Sequence, residues 1–346
     1  MIETTELRPG YRIACLIKGG WQLAGGHGAI DADTAVADMR AYVDAGLTTS
    51  DCADIYTGVE EMIGAFRHTL PEEMRARLKV HTKFVPDLAA LRTITRDDVR
   101  RLIDRSLARL GQQRLDLVQF HWWDYAIGDL VQVALWLKEL RDEQKIDLIG
   151  GTNFDAARTA AMLEAGVKLA TMQVQYSLLD DRPSRALSDI CARSDMKLLC
   201  YGTVAGGFLS ERWVGQPEPQ EPLGNRSLTK YKLVIDDAGG WNWFQALLGV
   251  LARIGAKHGR SIASVASRYV LGLPHVAAVI VGVRSRAHLA EHFRLFDFSP
   301  DAEDNAALAA VLAQRRSLPG DVYTLERDRT GRHGRIMKYD LSDASS

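Results

Sequence analysis

Cysteine is scarce in this 346-residue sequence, and the four that occur, Cys15, Cys52, Cys191 and Cys200, are widely spaced with no C-x-x-C pair among them. That pattern excludes a disulfide framework or a thiolate zinc site and points to reduced, buried thiols in a reducing compartment. Long apolar runs are missing too, since no stretch of about 18 apolar residues occurs that could span a bilayer as a helix. Met1 to Tyr11 is polar, without an apolar core followed by a small-residue cleavage site, so the expected location is cytoplasmic. No sign of charge predominates. With 43 Lys+Arg against 44 Asp+Glu, the net charge of -1 gives no general field for holding nucleic acid or an anionic membrane.

What remains is the composition of a protein with a sizeable core, 47% hydrophobic and 25% charged. Short apolar, β-rich runs alternate with helical patterns, as in a parallel sheet covered on both faces. The expected strands are eight: Ile13–Ile17, Leu47–Cys52, Leu78–Lys83, Leu115–His121, Leu148–Thr152, Leu169–Gln175, Met196–Tyr201 and Val276–Val281. Between them lie amphipathic helices over Asp33–Ala45, Glu60–His68, Leu130–Glu143, Ala156–Glu164 and Pro183–Arg193. A further helix begins at Thr95, with Asp98 placed for a capping box and Val99, Leu102, Ile103, Leu107 and Leu110 as its apolar stripe. Gly46 and Gly166 follow helices where a left-handed C′ residue is needed.

No G-x-G-x-x-G follows the first strand, which disfavours a doubly wound dinucleotide-binding sheet. The reading is an α/β fold, a single-domain (β/α)8 TIM barrel over residues 1–316 with a C-terminal tail, 317–346, folding over the barrel mouth. Ala205–Gly240, rich in Gly, Pro and Asn, reads as a long irregular loop after strand seven; Trp213, Tyr231 and Trp241 there are costly to leave in water. The basic cluster of the tail (Arg327, Arg329, Arg332, Arg335, Lys338) reads as a solvated terminus.

Barrels build their sites at strand C-termini, and there the polar residues gather: Asp51 and Tyr56 after strand two, Lys83 after strand three, His121 after strand four. Any one alone is an ordinary strand-end residue. Asp54 competes with Asp51 as the carboxylate near Tyr56, but its spacing puts it on another face, and its expected role is structural.

Asp51-Cys-Ala-Asp-Ile-Tyr56, Val-His-Thr-Lys83 and Asp116-Leu-Val-Gln-Phe-His121-Trp122 closely resemble, in order and spacing, the segments that carry the Asp, Tyr, Lys and His of the aldo-keto reductase family. The likeness runs from about Gly20 to about Glu291. Gly-Thr152-Asn153-Phe resembles the family's nicotinamide anchor, and Gln173 its amide-binding Gln. The stretch Tyr201-Gly202-Thr203-Val-Ala-Gly206-Gly207-Phe-Leu209 resembles the one that stacks a Tyr on the nicotinamide ring and cradles pyrophosphate. Trp21 and Trp122 match pocket-lining positions, and Trp123 adjoins one.

The resemblance implies reduction of an aldehyde or ketone, or the reverse, by hydride transfer with a nicotinamide cofactor and without a metal. Tyr56 is then the proton donor. An ordinary phenol pKa of about 10 is too high for two-way proton traffic, so Lys83 is expected to stabilise the phenolate, and Asp51 to keep Lys83 charged. His121 is expected to donate a hydrogen bond to the substrate carbonyl.

The adenosine end resembles Ile280-Val281-Gly282-Val283-Arg284-Ser285, where Arg284 would hold a 2′-phosphate, with His288, Glu291 and His292 following. NADP(H) is the expected cofactor and NAD(H) the alternative, because the family often has Pro at Val281, Arg or Gln at His288 and Asn at His292. The substrate is a small carbonyl or alcohol compound, and oligomeric state is not fixed by the sequence. Two rivals stay open: a nicotinamide-binding redox-sensing subunit with little turnover, and an aldolase using Lys83 as a Schiff-base nucleophile.

Overall fold

The computed structural model describes residues 2–24, 31–283 and 286–339. Its first element is a hairpin, β1 (Thr4–Arg8) paired antiparallel with β2 (Tyr11–Ala14). Eight parallel strands follow: β3 (Leu16–Gly19), β4 (Thr49–Asp51), β5 (Lys79–Phe84), β6 (Leu115–Phe120), β7 (Ile146–Thr152), β8 (Leu169–Gln175), β9 (Lys197–Tyr201) and β10 (Val276–Gly282). They pair in sequence order, and β10 closes on β3 to complete the expected barrel.

One strand differs from expectation. Ile13–Ile17 is split: Ile13 and Ala14 end the hairpin, Cys15 breaks the run, and the barrel strand begins at Leu16. The apolar run is continuous because both pieces are buried, one under the barrel and one in its wall.

The hairpin plugs the end of the barrel where the strands begin. Tyr11 and Leu7 join Ile17, Leu117, Leu148 and Leu199 in one buried cluster, and Tyr11 stacks on His81 with ring centroids 6.4 Å apart. A second, larger core lies between the outer strand faces and the helices. The helix over Arg96–Leu110 carries the expected capping box, with the Asp98 amide donating to Thr95 Oγ1 and the Thr95 amide to Asp98 Oδ2. Gly46 and Gly166 take φ of 96° and 84°, as their C′ positions require.

The stretch after β9 departs from the irregular loop expected. Arg226–Ala238 is a 13-residue helix, capped by Asn225, and Gly240 opens another running to His258. Burial of Tyr231, Val234, Ile235 and Ala238 at helical spacing explains the first of these. The aromatics of this segment form their own core, with Phe208 4.9 Å from Trp213 and 6.0 Å from Trp241 between centroids.

The tail is held down by charge as well as packing. Glu326 and Asp180 face the buried Arg182, at 3.5 and 2.7 Å, and Asp321 accepts from the Ala156 amide at the start of a barrel helix. Tyr323, Ile336, Met337 and Lys338 thereby come to line the cleft at the barrel mouth. No helix among the described residues is long and apolar enough to cross a membrane.

Candidate active site

β4 ends on Asp51, β5 presents Lys83 one residue before its end, and His121 follows β6, so three adjacent strands deliver three ionisable groups to one mouth. Tyr56 joins them from the turn after β4, and all four line the same cleft. The Lys83 ammonium donates to Asp51 Oδ2 at 2.7 Å and to the Cys52 carbonyl at 2.8 Å, and stands 4.9 Å from the centre of the Tyr56 ring. Burial draws the Lys83 pKa down, but Asp51 and Tyr56 more than offset it, and the net shift is upward.

Asp51 Oδ1 accepts from Gln119 at 2.9 Å and from Gln173 at 2.6 Å. Three donors thus converge on one buried carboxylate. Gln173, matched in sequence to an amide-binding residue, thus lines the cleft while holding Asp51.

Tyr56 does not show the lowered pKa expected of it. Burial raises the phenol, and Lys83 only partly opposes this, with Asp51 acting against it. The pair blunts a shift that burial would otherwise make larger.

The expected role of His121 also changes. Its Nδ1 lies 3.0 Å from the Thr152 carbonyl, which can only accept, so Nδ1 carries the hydrogen. Burial, reinforced by Arg327, pushes the imidazole pKa down to about 3. The ring is therefore neutral, and Nε2, buried and without a hydrogen-bond partner among the described residues, offers a lone pair rather than a proton. It can accept from a hydroxyl but cannot donate to a carbonyl. The free-protein kcat/KM profile should accordingly show no inflection from His121 between about pH 5 and pH 7. An inflection near pH 6.5 that vanishes in His121→Gln would contradict this assignment.

Among the pocket aromatics, Trp21 lies edge-on to Tyr56 at 5.1 Å and lines the cleft. Trp122 does not. Fully buried, it donates its indole N–H to the Ile127 carbonyl and packs on Phe120, while Trp123 faces the cleft and packs on His121 at 4.4 Å. Asp54 is buried, and its Oδ2 accepts from the Val85 amide, in keeping with a structural role; burial and Glu60 push its pKa up to about 8.

Thr152, Asn153, Tyr201, Gly202, Gly206 and Gly282 line the cleft with Gln173. Asn153 adopts φ 62° and accepts the Tyr201 hydroxyl at 2.8 Å. Gly206, at φ 63°, leaves open a place where a Cβ would lie 2.9 Å from the Tyr231 ring. Thr203, Gly207 and Leu209 lie off the cleft: Leu209 is core, and the Thr203 hydroxyl pairs with Ser267. His288, Glu291 and His292 also lie outside it. Glu291 Oε1 accepts from the Ser261 and Ser264 hydroxyls, and His292 Nδ1 pairs with the Tyr42 hydroxyl. Arg284 lies outside the described residues.

Sequence reasoning missed Gln119 and the cations Arg226 and Lys230, one turn apart on the helix Arg226–Ala238; both cations line the cleft. Lys230 stands 5.0 Å from the Tyr201 ring centre, and burial lowers its pKa against the pull of Glu326. The apolar spacing of Tyr231, Val234, Ile235 and Ala238 was the signal that could have placed them on a helix. Among the described residues the cleft lining thus holds Lys83, Arg226, Lys230 and Lys338 against the single carboxylate of Asp51, a balance suited to an anionic ligand such as a dinucleotide pyrophosphate.

The model of the aldo/keto reductase family matches residues 15–313 of this sequence. The chain belongs to the aldo/keto reductase family. Over 309 residues this aldo/keto reductase is 24% identical to the aldo-keto reductase YhdN of Bacillus subtilis strain 168, covering 87% of this chain and 90% of that protein. A 174-residue stretch is 34% identical to flagellar radial spoke protein 5 of Chlamydomonas reinhardtii, covering 45% of this chain and only 33% of that protein. The glycerol dehydrogenase of Gluconobacter oxydans superposes with a TM-score of 0.77 at 21% identity, covering 92% of this chain and 97% of that one, a likeness of fold. Members of this family are in general oxidoreductases of carbonyl compounds that use a nicotinamide cofactor.

Proposed function

We propose that this aldo/keto reductase is a cytoplasmic, NADP(H)-preferring carbonyl reductase or alcohol dehydrogenase in which Tyr56 moves the proton. The supporting observation is the Lys83 ammonium, fixed by Asp51 at 2.7 Å and lying 4.9 Å from the centre of the Tyr56 ring. The nicotinamide, when bound, supplies or takes up the hydride.

The chain's own residues do the rest. In reduction the Tyr56 hydroxyl gives its proton to the substrate oxygen, and Lys83 stabilises the phenolate left behind. In oxidation the same phenolate receives the proton. His121 orients the alcohol by accepting a hydrogen bond at Nε2, and Trp21, Trp123 and Tyr323 supply apolar walls. Thr152, Asn153, Gln173 and Tyr201 would hold the nicotinamide end of the cofactor. Gly202 and Gly206, with Arg226 and Lys230, would hold the pyrophosphate, where two cations and a helix N-terminus favour anions. Preference for NADP(H) rests on the likeness of residues 280–285 and on Arg284.

Fluorescence titration with NADPH and NADH, followed by a carbonyl panel with the tighter of the two, tests the reading. NADPH should bind more tightly and support turnover of at least one aldehyde or ketone. Tight binding with no turnover on any carbonyl would favour a redox-sensing subunit, and no binding of either nucleotide would end the proposal.

A further inference from the structure

We propose that Arg327 is a positioning residue: a side chain of the C-terminal segment that ties the backbone after β6 to the backbone after β7 and so fixes His121 and Asn153 at the reaction site. The proposal rests on the carbonyl-reductase reading above. Arg327 Nη1 donates to the Asn153 carbonyl at 2.8 Å, and Nη2 donates to the Trp122 carbonyl at 2.9 Å. Those carbonyls belong to the residues that immediately follow Thr152 and His121. The same two strand ends are already joined by the His121 Nδ1–H bond to the Thr152 carbonyl at 3.0 Å. The guanidinium is thus a second brace across one gap.

A planar fork with donors on separate nitrogens suits two carbonyls on neighbouring strands, and a single ammonium does not. The fork is itself held in place. It lies 4.0 Å from the centre of the Tyr125 ring and 5.2 Å from that of Tyr323, which packs edge-on against His121 at 5.7 Å. The preceding residue, Glu326, is buried against Arg182. Asn153 holds a left-handed φ of 62°, which asparagine adopts more readily than other side-chain-bearing residues, and the fork bonds the carbonyl of that same residue.

The brace also sets the field at His121. The charges acting on this ring are those of Arg327 and Lys83; Tyr323 packs edge-on against it, and Asp51 and Tyr56 line the same cleft. Asp51 is taken up by its three donors, so the cations prevail, and Arg327 adds to the burial that keeps the imidazole neutral. A neutral ring with hydrogen on Nδ1 is what leaves Nε2 free to accept.

The test compares wild type, Arg327→Met and Arg327→Lys by 15N NMR titration of the histidine rings without added ligand, and by kcat and KM across pH. Arg327→Met should raise the His121 titration midpoint and lower kcat by about 10- to 100-fold, with a smaller change in KM, as expected when a reacting geometry is loosened. Arg327→Lys should keep the wild-type midpoint yet still lose about tenfold in kcat, since the charge is retained and the fork is not. The proposal is overturned if Arg327→Met leaves both the midpoint and kcat within about twofold of wild type, or if Arg327→Lys restores full kcat. Should the Met variant fail to fold, the Lys variant decides alone. Should wild type reduce no carbonyl, the reductase reading fails separately, while the His121 midpoint still reports on the brace.

Discussion

Tyr56→Phe should lower kcat for carbonyl reduction by about 10³-fold, within the range of roughly 10² to 10⁴ that a positioned general acid contributes. The cofactor dissociation constant should be essentially unchanged. The substitution removes one oxygen and keeps the ring that lies edge-on to Trp21 and 4.9 Å from the Lys83 ammonium, so the walls of the cleft and the Asp51–Lys83 pair persist. Stopped-flow measurement of a single turnover, beside a fluorescence titration of the nucleotide, separates the two effects. Wild-type turnover in the variant would remove Tyr56 from the chemistry, and loss of nucleotide binding would make it a cofactor residue instead.

Asp51→Asn should produce the largest loss of stability at the site. Both carboxylate oxygens receive only donors, Lys83 on one and Gln119 and Gln173 on the other. An amide of the same shape must turn an NH2 group towards one of these donor sets, and it leaves the buried Lys83 ammonium without a charge partner. Breaking a buried pair in this way costs on the order of 3 to 5 kcal/mol. Urea unfolding should register that loss, and kcat should fall with it because the Lys83 pKa drops once Asp51, the largest influence opposing burial, is neutralised. An unfolding midpoint equal to wild type would mean that Asp51 does not hold the ammonium in place.

Much of this arrangement could be read before any coordinates. Strands such as β6 and β8 are buried on both faces, so their apolar runs mark a barrel wall directly, and Thr95 with Asp98 announces the helix it caps. Asp51, Lys83 and His121 follow from the same logic, since a polar residue closing an apolar strand has only the mouth to face.

Other features depend on contacts between distant segments. Trp123 lines the cleft as expected and Trp122 does not, because both lie past the end of β6, where strict alternation of side chains stops. The hydrogen on His121 is placed by a carbonyl of the neighbouring strand, a fact that local sequence does not contain. Arg327 looked like one more solvated cation of a basic tail; nothing in its neighbours along the chain reveals two carbonyls and the Tyr125 ring more than a hundred residues away. The helix Arg226–Ala238 hid behind the Gly, Pro and Asn residues that precede it.

The hairpin of β1 and β2, wedged beneath the barrel with Tyr11 against His81, closes the end opposite the catalytic groups. The cleft that holds Asp51, Tyr56, Lys83 and His121 is a recess at the mouth, floored by a packed interior rather than opening into a channel.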